Sequence, residues 1–207
     1  MRPKLLVLGS LAAGFALFAW QTVSQVVLPW HAATMTEFTN APQVVAAIRA
    51  GAPDNGMYFA GQGVFAAVSF TSMMADKTSG AFMGPMLAKQ FVTNLIIAAL
   101  LCLLVLRVPH VTPASGARIA AIAATAAALT VHVSNWTWYG FSPIYVLVNS
   151  LDLIIGWSIT GAVLGVIIHR MTHAATASVP AGMAPLADHG PRAGSLRPAP
   201  KHTHPHA

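Results

Sequence analysis

Four stretches of the chain carry apolar residues almost without interruption: Leu5 to Leu28, Leu87 to Val108, Arg118 to Trp138 and Ile144 to His169. A helix of about 20 such residues spans the hydrocarbon core of a bilayer, so the pattern predicts four transmembrane helices. A fifth run, Tyr58 to Ala75, is interrupted by Gly61, Gln62 and Gly63 and diluted by Ser69, Thr71 and Ser72. It reads as extended chain. Met57 to Ala60 and Val64 to Met73 are rich in aromatic and β-branched residues, and the glycines between them predict a hairpin. Such a hairpin is marginal alone and needs an apolar surface to lie on. Upstream, Asn40 with Gln43 has the form of a capping box, Pro42 suits a first helical turn and Gly51 a stop. These signals predict a helix from about Ala41 to Ala50. Val44, Val45 and Ile48 fall on one side of it, the side expected to rest on the hairpin or on a membrane surface.

The basic residues set the expected topology. With four crossings and the N-terminus inside, Arg2, Lys4, Arg107, Arg118, Arg170, Arg192, Arg197 and Lys201 lie on the cytoplasmic side, and Arg49, Lys77 and Lys89 lie outside. Counting Tyr58 to Ala75 as a fifth crossing would leave only Arg2, Lys4, Lys77 and Lys89 inside, against the positive-inside tendency. Four crossings with both termini cytoplasmic is therefore the expected arrangement. The first span follows Arg2 and Lys4 as a signal peptide would, but no clean Ala-x-Ala site follows it, so an uncleaved anchor is expected.

The expected fold class is an all-α membrane protein: a four-helix transmembrane bundle with a small α+β extracytoplasmic insertion between spans one and two. Residues 1–30 form the N-terminus and first span, 31–84 the insertion, 85–171 three further spans and 172–207 a cytoplasmic tail. From Thr172 the composition shifts to Ala, Pro, Gly, Arg and His without apolar periodicity, which predicts disorder.

Composition supports this picture. The chain is 56% hydrophobic and 8% charged, whereas a soluble domain carries about a quarter charged residues. Its single cysteine, Cys102, excludes a disulfide scaffold and sits mid-span among leucines as a small hydrophobe. The net charge of +6 is scattered singly between apolar runs, not gathered on a nucleic-acid-binding face. No internal repeat is evident.

Polar side chains inside spans are costly and often functional. Gln21 and Gln25 stand four apart in span one, Asn94 lies about two turns into span two, and His132 falls near the end of span three. Asn149 and Asp152 share a face of span four. All fall in the outer half. They predict a polar cluster open to the outside, with Asp152 as its carboxylate and His132 as the expected partner. The cluster has two possible uses: interhelical hydrogen bonds that fix the bundle, or a ligand or proton site.

Trp30, Trp136, Trp138 and Tyr139, with Phe141, fall where rings favour the headgroup layer, and His31 beside Trp30 reads first as interfacial. Gly161 and Gly165 form a GxxxG pair, and Gly9 with Ala13 a similar small pair, so close packing against another span or a second copy is expected. His173, His189, His202, His204 and His206 offer imidazoles without fixed geometry, and no metal site is assigned.

Leu28-Pro29-Trp30-His31, Trp136-Thr137-Trp138-Tyr139-Gly140-Phe141, and Val148-Asn149-Ser150-Leu151-Asp152 with Gly156-Trp157 together resemble a group of small bacterial multi-pass inner-membrane proteins of unknown function. The resemblance runs from the first span to the last and excludes the tail. It implies a bacterial inner membrane, so that outside means periplasm, and it implies no activity.

Nothing in the sequence calls for a cofactor or a catalytic motif: there is no Gly-rich phosphate loop, His-Glu-x-x-His helix, Cys pair or Gly-x-Ser-x-Gly elbow. The first expected function is a non-catalytic interaction or assembly subunit, as a homo-oligomer or part of a membrane complex. The alternative is a small transporter or channel using Asp152 and His132, and a lipid-directed enzyme comes third. A through-pathway needs polar residues at successive depths, and the inner half has almost none.

Overall fold

A computed structural model describes residues 3–59, 61–70 and 80–177. Helix α1 (Pro3–Thr22) runs into a π turn at Val23–Val27, and a 3-10 turn follows at Ala32–Thr34. Next come α2 (Ala41–Gly51), β1 (Gly56–Phe59), β2 (Phe65–Val68) and α3 (Gly80–Val105). Helix α4 (Pro113–Ala128) continues through a second π turn, Leu129–Val133, into α5 (Ser134–Tyr139), and α6 (Pro143–Ala177) ends the described chain. Pro3–Val27, Gly84–Val105, Pro113–Tyr139 and Pro143–His173 are each long and apolar enough to cross a membrane.

Helix α1 lies between α3 and α6, and α4 packs along α6 from its other side. The α4–α6 seam is built on absent side chains. A Cβ on Gly161 would collide with the Gly116 carbonyl, and one on Gly165 would strike Thr112 and Pro113. Ala120 and Ala124 are fully buried along the same stripe of α4. The GxxxG pair therefore meets α4 of its own chain, and dispersion between closely approached backbones holds the two helices together. Gly9 does the same on a smaller scale, with Leu164 and the Cys102 thiol next to its missing Cβ. Around these contacts Leu5, Ala13, Leu101, Val105 and Ile168 complete an apolar core.

Helix α4 starts with a capping box in which Ser115 N–H bonds the Thr112 hydroxyl and Thr112 N–H bonds Ser115 Oγ. At its other end Gly140, with φ of 68°, closes α5 in the left-handed conformation that a Cβ disfavours.

The hairpin forms as expected but is shorter. Gly56 pairs with Val68 and Phe59 with Phe65, in antiparallel register. Its turn carries three consecutive left-handed residues, Gly61 (φ 69°), Gln62 (φ 48°) and Gly63 (φ 77°). Glycine at two of the three keeps that turn inexpensive. Met57, Phe59, Phe65 and Ala67 occupy paired positions and so share one face. Phe65 supplies the apolar anchor the hairpin needs, its ring centred 5.0 Å from that of Tyr139 at the end of α5.

Helix α2 forms where expected but without the expected cap. Asn40 makes no capping bond to the backbone, and its amide donates to Gln43 Oε1 at 2.6 Å, occupying the oxygen that a capping box would offer to the Asn40 N–H. On the side expected to rest on the hairpin or a membrane surface, Val44 and Ile48 are half-buried and Val45 is exposed. The helix's tie to the hairpin is the Arg49 guanidinium, 5.5 Å above the Phe70 ring. The tail also differs, for Thr172 to Ala177 continue α6 as helix. Alanines there sustain it, and the Thr172 hydroxyl bonds back to Ile168 O at 2.9 Å. The rest of the expected disordered tail, His189, His202, His204 and His206 included, lies outside the described residues.

Candidate functional site

The carboxylate of Asp152 is held from two directions. Trp20 Nε1 on α1 donates to Oδ1 at 2.7 Å, and His31 Nε2, in the turn after the first span, lies 3.3 Å from Oδ2. The two ionisable side chains are only 11% and 13% exposed, so each needs the other as a partner. The approach of Trp20 depends on Gly156, one turn further along α6. A Cβ at that position would fall 2.8 Å from the indole ring.

His31 reaches Asp152 because the first span does not end as a regular helix. Leu28 N–H bonds Val23 O at 3.0 Å, an i→i+5 bond that widens the turn and brings Ser24 fully inside. Pro29 follows, and the chain folds back so that Trp30 Nε1 donates to Ser24 O and Ser24 Oγ, both at 3.1 Å. The Trp30 ring then stands edge-on to Trp20 and to His31. The Thr34 backbone and hydroxyl both bond His31 O.

His31 Nε2 is crowded, with Ser24 Oγ and Gln25 Nε2 each 3.1 Å away. One imidazole nitrogen carries either a hydrogen or a lone pair, so it cannot donate to Asp152 and accept from the Gln25 amide together.

A second network lies beside the first. Gln21 Oε1 accepts from Asn94 Nδ2 at 2.7 Å and from Gln90 Nε2 at 3.1 Å, and Gln90 also donates to Asn94 Oδ1 at 3.0 Å. Asn94 is fully buried, and this triad joins α1 to α3. Gln21 and Gln25, which α-helical spacing places on one face, therefore serve different networks, because the π turn breaks that spacing between them.

Between α1, the second π turn and α6 lies a half-open cavity of about 130 Å³. Leu17, Trp20 and Gln21 line it from α1, His132 from the second π turn, and Asn149, Asp152, Leu153 and Trp157 from α6. Asp152, His132, Asn149 and Gln21 thus meet around one space, whereas Asn94 and Gln25 stand in the adjoining networks. One expected pairing is corrected. His132 is not the partner of Asp152, a role filled by Trp20 and His31, and its own Nδ1 is buried with no hydrogen-bond partner among the described residues.

The aromatic residues divide. Trp136, Trp138 and Tyr139 are exposed, but Trp30 is half-buried with its indole N–H committed to Ser24. His31, read from sequence as interfacial, is buried and belongs to the site, and Trp20, Ser24 and Gln90 enter it without having been foreseen. The available signals were Pro29 placed just before two rings, and Gly156 one turn beyond Asp152 in the last span.

The chain matches no protein family, no curated protein and no solved structure. The chemistry of the site must come from its own atoms. At the opposite end of the bundle His110, His169 and His173 line a second cavity of about 290 Å³ together with Thr112 and Thr172. The His169 and His173 rings lie 4.3 Å apart, yet among the described residues no three His, Cys, Asp or Glu side chains converge as a metal site would require.

Proposed function

We propose that the chain is a multi-pass protein of a bacterial inner membrane with both termini cytoplasmic, acting as a non-catalytic interaction or assembly subunit. The exterior of the bundle supports the membrane setting: Val7, Leu11, Phe15, Val92, Ile96 and Ile122 all point outward, a surface that water would not tolerate but lipid would. The observation that carries the functional reading is that the polar site is blind. Below Gln21 and Asp152 the packing is Leu17, Ala13, Leu164, Cys102 and Leu5, and buried Thr160 turns its hydroxyl to its own helix at Gly156 O. Further along within one copy the polar groups are isolated, with Ser10 Oγ buried and unpartnered among the described residues, until the His110, His169 and His173 cavity at the far end.

At that same end Phe59 is 75% exposed, Met57 65% and Trp138 79%, so the insertion offers apolar side chains to a partner or to the bilayer surface. Gentle purification of the tagged full-length protein, followed by mass spectrometry and light scattering, tests the reading. A second copy or a reproducible membrane partner is expected, lost in Met57→Ser with Phe59→Ser and weakened in Asp152→Asn. Recovery of monomer alone in every case, with solute uptake in proteoliposomes, would overturn it in favour of a transporter.

A further inference from the structure

The wall of the cavity between α1, the second π turn and α6 is rich in uncommitted acceptors. Asp152 has two oxygens and about four lone-pair positions, of which Trp20 and His31 engage only part. Asn149 donates its amide to Tyr145 O at 2.8 Å, and its Oδ1 has no partner among the described residues. His132 has a buried, unpartnered Nδ1, and a neutral imidazole keeps one nitrogen as an acceptor in either tautomer. The Trp20 N–H is already committed to Asp152, and the indoles of Trp20 and Trp157 form part of the same wall.

Asp152 is the one carboxylate on this lining, and no lysine or arginine faces it. Three acceptors, one of them a carboxylate, and two indoles are the complement of a cation that carries three N–H donors on a short alkyl stem. We propose that this cleft binds a primary ammonium group, with Asp152, Asn149 and His132 accepting its three N–H bonds and Trp20 and Trp157 flanking its methylenes. Gln21 Nε2 is a donor for an oxygen beside the amine, as an amino alcohol or an amine-bearing lipid headgroup would supply. The ammonium chemistry follows from the lining alone, whereas a lipid source rests on the membrane reading given above.

The test uses the full-length protein in two arms. In the first, nanodiscs of phosphatidylglycerol with equal fractions of phosphatidylethanolamine and phosphatidylcholine are analysed by native mass spectrometry, because only the first of those two headgroups has N–H donors. In the second, detergent-solubilised protein is titrated with ethanolamine and followed by tryptophan fluorescence. A lipid site predicts retention of phosphatidylethanolamine over phosphatidylcholine by about tenfold, and a free-amine site predicts a saturable ethanolamine response without lipid preference. Either signal should fall about tenfold in His132→Phe and in Asn149→Ala, with helix content unchanged. Equal retention of the two lipids with no ethanolamine response overturns the proposal, as does a response unaltered in both variants. If the membrane reading itself is at fault, the protein fails to enter nanodiscs while the ethanolamine arm still reports on the cavity.

Discussion

The two ends of the bundle are held together by different means. Away from the hairpin, Gly116, Gly161 and Gly165 let the backbones of α4 and α6 touch, and shape alone joins them. At the hairpin end, α1 is tied to α6 by Trp20, His31 and Asp152, and to α3 by Gln21, Gln90 and Asn94. Backbone contact tolerates no added volume but is indifferent to charge. Side-chain networks tolerate small shifts but depend on every partner being present. A site able to bind or rearrange is therefore expected where side chains do the joining.

Perturbations of both ends test this contrast, each read by reversible unfolding in mixed micelles. Gly161→Leu should have the largest effect, about 3 kcal/mol or more, because α4 and α6 must separate; a loss below 1 kcal/mol would mean the seam is looser than its geometry. Asp152→Ala should cost about 2 kcal/mol by removing the carboxylate that Trp20 and His31 share, leaving Trp20 only its longer bond to the main-chain carbonyl of residue 152, and Asp152→Asn should recover part of that through the Trp20 side-chain bond. Asn94→Leu should cost about 1 kcal/mol, since interhelical polar contacts within a bilayer are individually modest. His132→Phe should change stability by no more than about 0.5 kcal/mol, as it removes a side chain whose Nδ1 has no partner to lose. A large loss there would assign His132 to the structural network and contradict its placement as an open acceptor.

Hydropathy made the four long helices legible, because about 20 consecutive apolar residues admit few alternatives, and Gly61-Gln62-Gly63 marked the hairpin. Half of the cavity lining was legible too, in Gln21, His132, Asn149 and Asp152, since polar residues within apolar runs stand out. The pairing was not. His31 and Trp30 follow Pro29 at the end of a span, where an interfacial position is the ordinary expectation, and only the π turn and the reversal of the chain bring them back beneath Trp20. The Asn40 capping box failed for a comparable reason, as a side-chain partner competed with the backbone donor.

What the sequence by itself determined is therefore the list of long apolar helices, the position of the insertion between the first two, and the polar residues set within them. Tertiary structure decided which of those residues meet. It assigned Asp152 to His31 and Trp20 instead of His132, sent Gln21 and Gln25 to separate networks, and made α4 the partner of the Gly161 and Gly165 pair. Composition and periodicity report how each segment partitions between water and apolar surroundings, a property summed over residues. Hydrogen-bond partnership depends on the rotation of each helix and on single-residue irregularities such as the two π turns, which leave that sum unchanged.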